Sequence, residues 1–456
     1  MIFPLTVLLG AGAALAAPFI PRSTEFTTEA AKHGWIVVMN DDAPHEAFLH
    51  TRNLAAAAGA APHHTFDFGE GLMRGYVMRG PGSEMAVQSM ADSPHIAFIQ
   101  PDTPFSLYDT VHNDTEPVST SNDDGPVTRL PVNWKIPGNW PWGLHRISHG
   151  PIQWGQPLEY RPNSTGRTGT VYILDTGIDL DHPEFGGRAK WGGTFLEASH
   201  NNEGEGWMPT GGDDHGHGTR KSLDARKRRR IIGGKSLGVA QETNLVALKV
   251  INKEGNGHPS NVLRAMQWVI KDAEEHQRLN KSVVNMSIGS TIASEFQKAG
   301  KPDAVMIATR IASKKGIFMV AAAGNNYGRV EKCSPAAEPE ACTIAAVDIY
   351  DTKAWFSNYG VGVDLLAPGV EVLSAWPGGG TKAQSGTSMA APHAAGLGAY
   401  IMDLDGPGQA TPGRRMCDRL QSIGSYRKDR EGKEAPADTP DVYNEFTRIA
   451  SNGMQS

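Results

Sequence analysis

Cysteine is scarce: the 456 residues hold three. A dense disulfide framework is thereby excluded, although three cysteines leave room for one bridge in an oxidising compartment. Charge of one sign is also not in large excess. The formal net charge of -6 argues against a general nucleic-acid-binding surface. Beyond the first residues no apolar run reaches the roughly 20 residues that a spanning helix needs, so the mature chain is expected to be free of the membrane. Internal repeats and extended low-complexity tracts are missing too. A chain of this length, punctuated by 52 glycines and 30 prolines, is expected to form two or three units rich in turns.

The chain opens with MIFPLTVLLGAGAALAAP, uncharged, apolar and closed by the small-residue pattern Ala14-Leu15-Ala16. Residues 1–16 therefore read as a secretory signal peptide, although Lys and Arg are absent from its start. Extracellular localisation follows as an expectation. Glycosylation sequons begin at Asn113, Asn163 and Asn280, while that at Asn285 lies in an apolar run and should be buried.

Residues 34–105 read as a small α+β unit. GWIVVMN, LMRGYVMRG and HIAFIQPD are strand-like, and HEAFLHTRNLAAAAG is helix-like. Residues 111–138, rich in Asp, Asn, Ser, Thr and Pro, have the composition of a linker. From about Trp140 short apolar runs alternate with helical patterns. TVYILDTG, NLVALKVI, SVVNMSIG, IFMVAAAG and ACTIAAVD suit strands buried on both faces. SNVLRAMQWVIKDAEEH places Val262, Met266, Val269 and Ile270 on one helical stripe, and DAVMIATRIASKKG ends in a favourable C-terminus. The expected fold class is α/β, a parallel sheet with helices on both faces, preceded by the small α+β domain.

Three glycine-rich punctuations carry residues fit for chemistry. LDTGID puts Asp175 at the end of a buried strand, GHGT holds His217 between glycines, and SGTSMAAPH puts Ser388 at the head of a small-residue helix. Each alone has a structural explanation: a turn residue, a satisfied histidine, a helix N-terminal serine. Together, in the order Asp, His, Ser, they supply a nucleophile, a base and a carboxylate that orients the base. A serine at a helix N-terminus also sits where backbone N–H groups favour a developing oxyanion. The G-x-S-x-G elbow of an α/β hydrolase is absent, since the residues around Ser388 read G-T-S-M-A.

DTGID, DDHGHGT and SGTSMAAPH resemble the three catalytic motifs of the subtilisin-like serine peptidases. NWPWGLHRIS, AAAGNN, SPAAEPEACTIAAVD, FSNYG, LLAPG and SAWPGG are similar to the secreted fungal proteinase K-like group. The likeness is dense from Trp140 to Met402 and weaker to the C-terminus, and residues 34–105 resemble an inhibitor-type propeptide. The resemblance implies a signal peptide at 1–16, a propeptide at 17–110, a maturation region at 111–138 and a peptidase domain at 139–450. It implies Ser388 as nucleophile, His217 as proton shuttle and Asp175 as its orienting carboxylate. Asn325 and the Ser388 backbone N–H would form the oxyanion hole. Ser287, Ile288 and Gly289 would pair with extended substrate, and Ala322, Ala323 and Gly324 would line a pocket for apolar or aromatic side chains. No cofactor is implied for catalysis.

The same likeness implies a structural calcium held by the Pro339 and Ala341 carbonyls and the Asp364 carboxylate. A carboxylate ending a strand-like segment also serves as a turn cap, so both readings stand. Cys342 and Cys417 match a disulfide of the family. Cys333 is left as the free thiol, with Cys333–Cys342 as the alternative pairing. The implied partners are protein and peptide substrates and the chain's own propeptide, whose end near IQPDTP would block the groove until cleavage within about residues 106–136. A monomer is expected, with no nucleic-acid partner.

One stretch departs from the family pattern. After Thr219 the chain reads RKSLDARKRRR, where relatives have about four residues, such as H-V-A-G, opening a buried helix. Replacing the eleven residues by four returns IIGGKSLGVA to register, an excess of seven (11 minus 4). Burying unpaired bases in such a helix would cost on the order of several kcal/mol each. Either the run loops out and the helix restarts near Ile231, or the segment does not fold in the usual way. A mis-specified splice boundary explains the clean register best; a nuclear-localisation patch clashes with the signal peptide. A catalytically impaired protein that keeps the fold and groove is therefore the alternative to an active endopeptidase.

Overall fold

The computed structural model describes residues 33–107, 141–151, 159–160, 162–196, 231–375, 381–406, 411–425 and 448–453. Residues 1–16 and 111–138, read above as a signal peptide and a linker, lie outside the described residues, as do His217 and the basic run 220–230. The chain divides into two compact units, Met1–Thr103 and Pro104–Ser456.

In the first unit, strands β1 (Trp35–Met39), β2 (Ala61–Asp67), β3 (Arg74–Arg79) and β4 (Ile96–Pro101) form an antiparallel sheet in the order β2-β3-β1-β4. Helices α1 (His45–Ala57) and α2 (Ser83–Ser89) contribute Phe48, Ala55, Ala86 and Val87 to a core with Trp35, Val37 and Met39. Strand β2, APHHTFD, escapes a reading of hydrophobic pattern because it is an edge strand with only Phe66 buried. Its place is set by pairing with β3 rather than by an apolar face.

The second unit holds strands β5 (Phe105–Leu107), β6 (Thr170–Asp175), β7 (Ala189–Thr194), β8 (Asn244–Lys249), β9 (Asn256–Gly257), β10 (Ser282–Met286), β11 (Ile288–Thr291), β12 (Phe318–Ala322), β13 (Cys333–Ser334), β14 (Cys342–Val347), β15 (Leu365–Pro368), β16 (Val372–Ala375), β17 (Thr381–Gln384) and β18 (Arg448–Ile449). Its helices are α3 (Trp142–His149), α4 (Pro259–Glu275), α5 (Ser294–Ala299), α6 (Ala304–Lys314), α7 (Thr387–Asp405) and α8 (Arg414–Ile423). Eight strands make one parallel sheet in the order β18-β15-β14-β12-β10-β6-β8-β7. This is the α/β sheet expected from the alternating pattern. The five expected core strands all lie in it, and Val262, Met266, Val269 and Ile270 of α4 are buried. One expected strand is two: SVVNMSIG breaks at Ser287, and β11 leaves the parallel sheet for an antiparallel one.

Helix α7 is buried from Thr387 to Met402, and its small residues let it approach the sheet closely. A Cβ added at Gly398 would lie 2.5 Å from Phe318 Cδ1, and one at Gly396 would lie 2.7 Å from Val239 Cβ. Residues 231–233 are helical, and Ile232, Val239 and Ala240 join α7 in the main core. Val239 N and Ala240 N donate to the carbonyls of Ile231 and Ile232 at 2.8 Å each. The residues directly after the basic run in sequence thus belong to the core.

A disulfide joins Cys342 to Cys417, with their Cα atoms 5.6 Å apart, and Cys333 is free and buried. The alternative Cys333–Cys342 pairing is therefore overturned: β14 faces α8 at Cys342, while Cys333 sits in β13 with its thiol against the Asn358 amide. Burial, only partly offset by that amide, raises the Cys333 pKa to about 11. The bridge spans 75 residues, so Cys417→Ser should lower the unfolding free energy by about 2–4 kcal/mol. Urea unfolding of the two proteins under non-reducing conditions measures it; equal midpoints would show that the bridge adds no stability.

Candidate active site

Three neighbouring strands end level with one another. Leu174, Met286 and Ala321 share a row across β6, β10 and β12, so Asp175, Ser287 and Ala322 stand in the next row. That is the carboxyl edge, where open parallel sheets present residues to ligands.

Asp175 is buried, and Thr176 N donates to its Oδ1 at 2.7 Å. The strand end around it is held from β8: Val250 N donates to the Asp175 carbonyl at 2.8 Å, and Lys249 Nζ donates to the Thr176 carbonyl at 2.8 Å. A carboxylate tied to its own strand end in this way has its direction set by the fold.

Ser388 is the second residue of α7 and is buried behind Gly386. The first backbone N–H groups of a helix have no intrahelical acceptor and carry the positive end of its dipole. Thr387 ties this helix start to the end of β12. Its backbone N and its Oγ1 donate to Asn325 Oδ1 at 2.9 and 2.8 Å, and Gly324 N donates to Thr387 Oγ1 at 3.1 Å. A backbone N–H must face the amide oxygen, so the orientation of Asn325 is determined by chemistry. Nδ2 is then turned toward Gly386, where an added Cβ would lie 3.3 Å from it.

The wall beside Asn325 is equally constrained. Ala322, Ala323 and Gly324 are buried, and Gly324 has a φ of +107° that suits glycine. Asn358 braces this segment: its Nδ2 donates to the Ala323 carbonyl at 2.8 Å, and its Oδ1 accepts from Asn326 N at 3.2 Å and Gly328 N at 2.7 Å. Neither Thr387 nor Asn358 was singled out by sequence reasoning. The signals available were their places in GTSM, which was read for Ser388 alone, and in FSNYG, which was used only for resemblance.

Ile288 and Gly289 lie in β11 and are already paired. Strand β5 lies antiparallel between β11 and β9, with Leu107 opposite Ile288, Ser106 opposite Gly289 and Phe105 opposite Gly257. Phe105 and Leu107 are 1% and 5% exposed. The paired segment is not IQPDTP itself: Ile99, Gln100 and Pro101 lie in β4, opposite β1. With 99–101 matched to β1, it is residues 105–107 that pair with β11 and β9.

His393 lies on α7, five residues beyond Ser388. Complete burial, offset only in part by the 2.9 Å contact of Nδ1 with the Met389 carbonyl, lowers its pKa to about 4. The ring is neutral at pH 7. A folded pKa below the unfolded value means that the unfolded chain binds the proton more readily, so stability is full above about pH 6.5 and falls as pH drops toward 4. His393→Gln should remove on the order of 3 kcal/mol of that acid-side loss. Urea unfolding at pH 7, 5.5 and 4 checks this; parallel pH profiles would refute it.

The three oxygens expected to hold calcium converge, but on a side chain. Arg414 Nη1 donates to the Pro339 carbonyl at 3.0 Å and the Ala341 carbonyl at 2.6 Å, and Nη2 contacts Asp364 Oδ1. Among the described residues, the one cluster of His, Cys, Asp or Glu with metal-like spacing is Cys342, Asp364 and Cys417. Two of its three members are the disulfide.

Asp175, Ser287 and the 322–325 segment thus gather at one sheet edge, and Asn325 is bonded to the start of the Ser388 helix. His217 lies outside the described residues. Among them no helix is long and apolar enough to cross a membrane.

Comparison with known proteins agrees with this geometry. The subtilase family matches residues 166–412. Subtilisin-like protease 5 of Trichophyton tonsurans is 35% identical over 405 residues, covering 87% of this chain and 87% of that protein. Subtilisin-like protease 1 of Trichophyton verrucosum is 32% identical over 409 residues, covering 87% and 88% respectively. A crystal structure of a cold adapted subtilisin-like serine proteinase matches with a TM-score of 0.54 and 29% identity, over 70% of this chain and 100% of that one. The chain belongs to the subtilase family of serine peptidases.

Proposed function

We propose that this chain is a secreted serine endopeptidase, made as a zymogen and inhibited by its own propeptide. The observation that carries the reading is the joining, at one sheet edge, of Asp175, the Ser287–Gly289 segment and Asn325 with the start of the Ser388 helix. Ser388 Oγ attacks the carbonyl carbon of the scissile bond while His217 accepts its proton. Asp175 holds the imidazole in the required tautomer. The carbonyl oxygen gains charge between Asn325 Nδ2 and the Ser388 N–H. Collapse of the tetrahedral intermediate breaks the C–N bond, and His217 returns the proton to the leaving amine. Water then cleaves the acyl-enzyme by the same steps in reverse.

Extended substrate adds to β11 as a strand, with Ile288 and Gly289 supplying backbone hydrogen bonds. Strand β5 supports the zymogen reading, because a segment of the chain itself takes that place. The small apolar wall at 322–324 suits apolar or aromatic side chains before the scissile bond. The natural partners are proteins and peptides outside the cell, handled by a monomer that needs no cofactor for catalysis. Burial of Ile231 and Ile232 shows that the residues directly after the basic run belong to the folded domain.

A fluorophosphonate probe incubated with folded, processed protein tests the proposal. Stoichiometric labelling at Ser388 is the expected result. No labelling of that folded protein would reject an active endopeptidase and favour the catalytically impaired reading, whose sole support is RKSLDARKRRR.

A further inference from the structure

Calcium requires six to eight oxygen ligands at about 2.3–2.6 Å. At the Pro339, Ala341 and Asp364 oxygens that coordination is not open to it, because one guanidinium already bonds to all three. We propose that Arg414 is a built-in cation that takes the place of calcium in this cage.

Several observations converge on that assignment. Two backbone carbonyls and a carboxylate form an acceptor set suited to a cation. A guanidinium meets it with directed N–H donors and a charge that no physiological pH removes. The second oxygen of Asp364 accepts from Thr343 N at 2.8 Å, and its backbone carbonyl accepts from Gln421 Nε2 at 2.9 Å. Asp364 is therefore held by its own surroundings. Arg414 opens α8 immediately after Gly413, at the helix end where a positive charge is least favourable. Its contacts to the cage, and a further contact of Nε with Asp418 Oδ1 at 3.3 Å, compensate for that position. The Cys342–Cys417 bridge attaches α8 beside Ala341, so a covalent link and a fixed cation brace the same loop.

Calcium binding to the full-length chain tests the proposal, with Ser388→Ala as background to prevent self-cleavage. Isothermal titration calorimetry should give the same calcium stoichiometry with and without Asp364→Asn. Loss of one calcium per chain on that substitution would show that the cage holds the ion, and would overturn the proposal. Arg414→Ala should lower Tm in EDTA by on the order of 5 °C and recover most of the loss in millimolar calcium, gaining one bound ion. An Arg414→Ala protein that folds but shows no calcium response would equally overturn the reading of these oxygens as a cation cage. Should that variant fail to fold, the Asp364→Asn stoichiometry decides the question on folded protein.

Discussion

Ser388→Ala is expected to lower peptide hydrolysis by about 10⁴-fold or more and to abolish fluorophosphonate labelling. Removing the hydroxyl leaves the groove, the oxyanion donors and the fold in place, so binding should change little while the covalent route is lost. Thr387 holds the helix start through its bonds to Asn325, and the unfolding midpoint should remain near that of the parent. Hydrolysis of an extended peptide with an aromatic residue before the scissile bond gives kcat, and a non-cleavable peptide gives Kd. A variant retaining a tenth of the parent rate would remove Ser388 from the nucleophile's role. The same variant should also fail to cut its own chain within residues 106–136.

Asn325→Ala is expected to lower kcat by about 10²–10³-fold with little change in KM, the range associated with loss of one oxyanion donor. The split between the constants matters. An amide that merely shaped the pocket would act on ground-state binding and move KM. Here Thr387 N and Oγ1 occupy Oδ1, so Nδ2 is the end directed toward the reacting side. Thr387→Val keeps volume but removes one of those bonds, and should give a smaller fall in kcat by letting the amide swing. An unchanged kcat in Asn325→Ala, or a rise in KM alone, would rule out the oxyanion role.

Much of the candidate active-site edge is visible in local sequence. An aspartate that ends a fully buried strand, as in TVYILD, needs only the strand pattern to place it at a carboxyl edge. The small residues of SGTSMAAPH likewise announce a closely packed helix, and further along it Gly398 shows why bulk is excluded, since an added Cβ would meet Phe318 of the sheet. Strand β2 was missed because an exposed edge carries almost no hydrophobic signal. The break at Ser287 was missed because Ile288 is as buried as the residues of β10, although its neighbours belong to another sheet.

The sequence by itself determined the α/β class, the family and the residue types available for chemistry. Strand periodicity and glycine-bracketed motifs are local properties, whereas the choice of Cys417 over Cys333 as the partner of Cys342 needed the folded chain. Tertiary structure alone decided which segment pairs with β11, which end of the Asn325 amide meets Thr387, and which side chain meets the oxygens of Pro339, Ala341 and Asp364. Each depends on the direction of a side chain or segment toward groups distant along the chain. Arg414 lies 50 residues from Asp364 in sequence, and local periodicity does not encode where a guanidinium at that distance will turn.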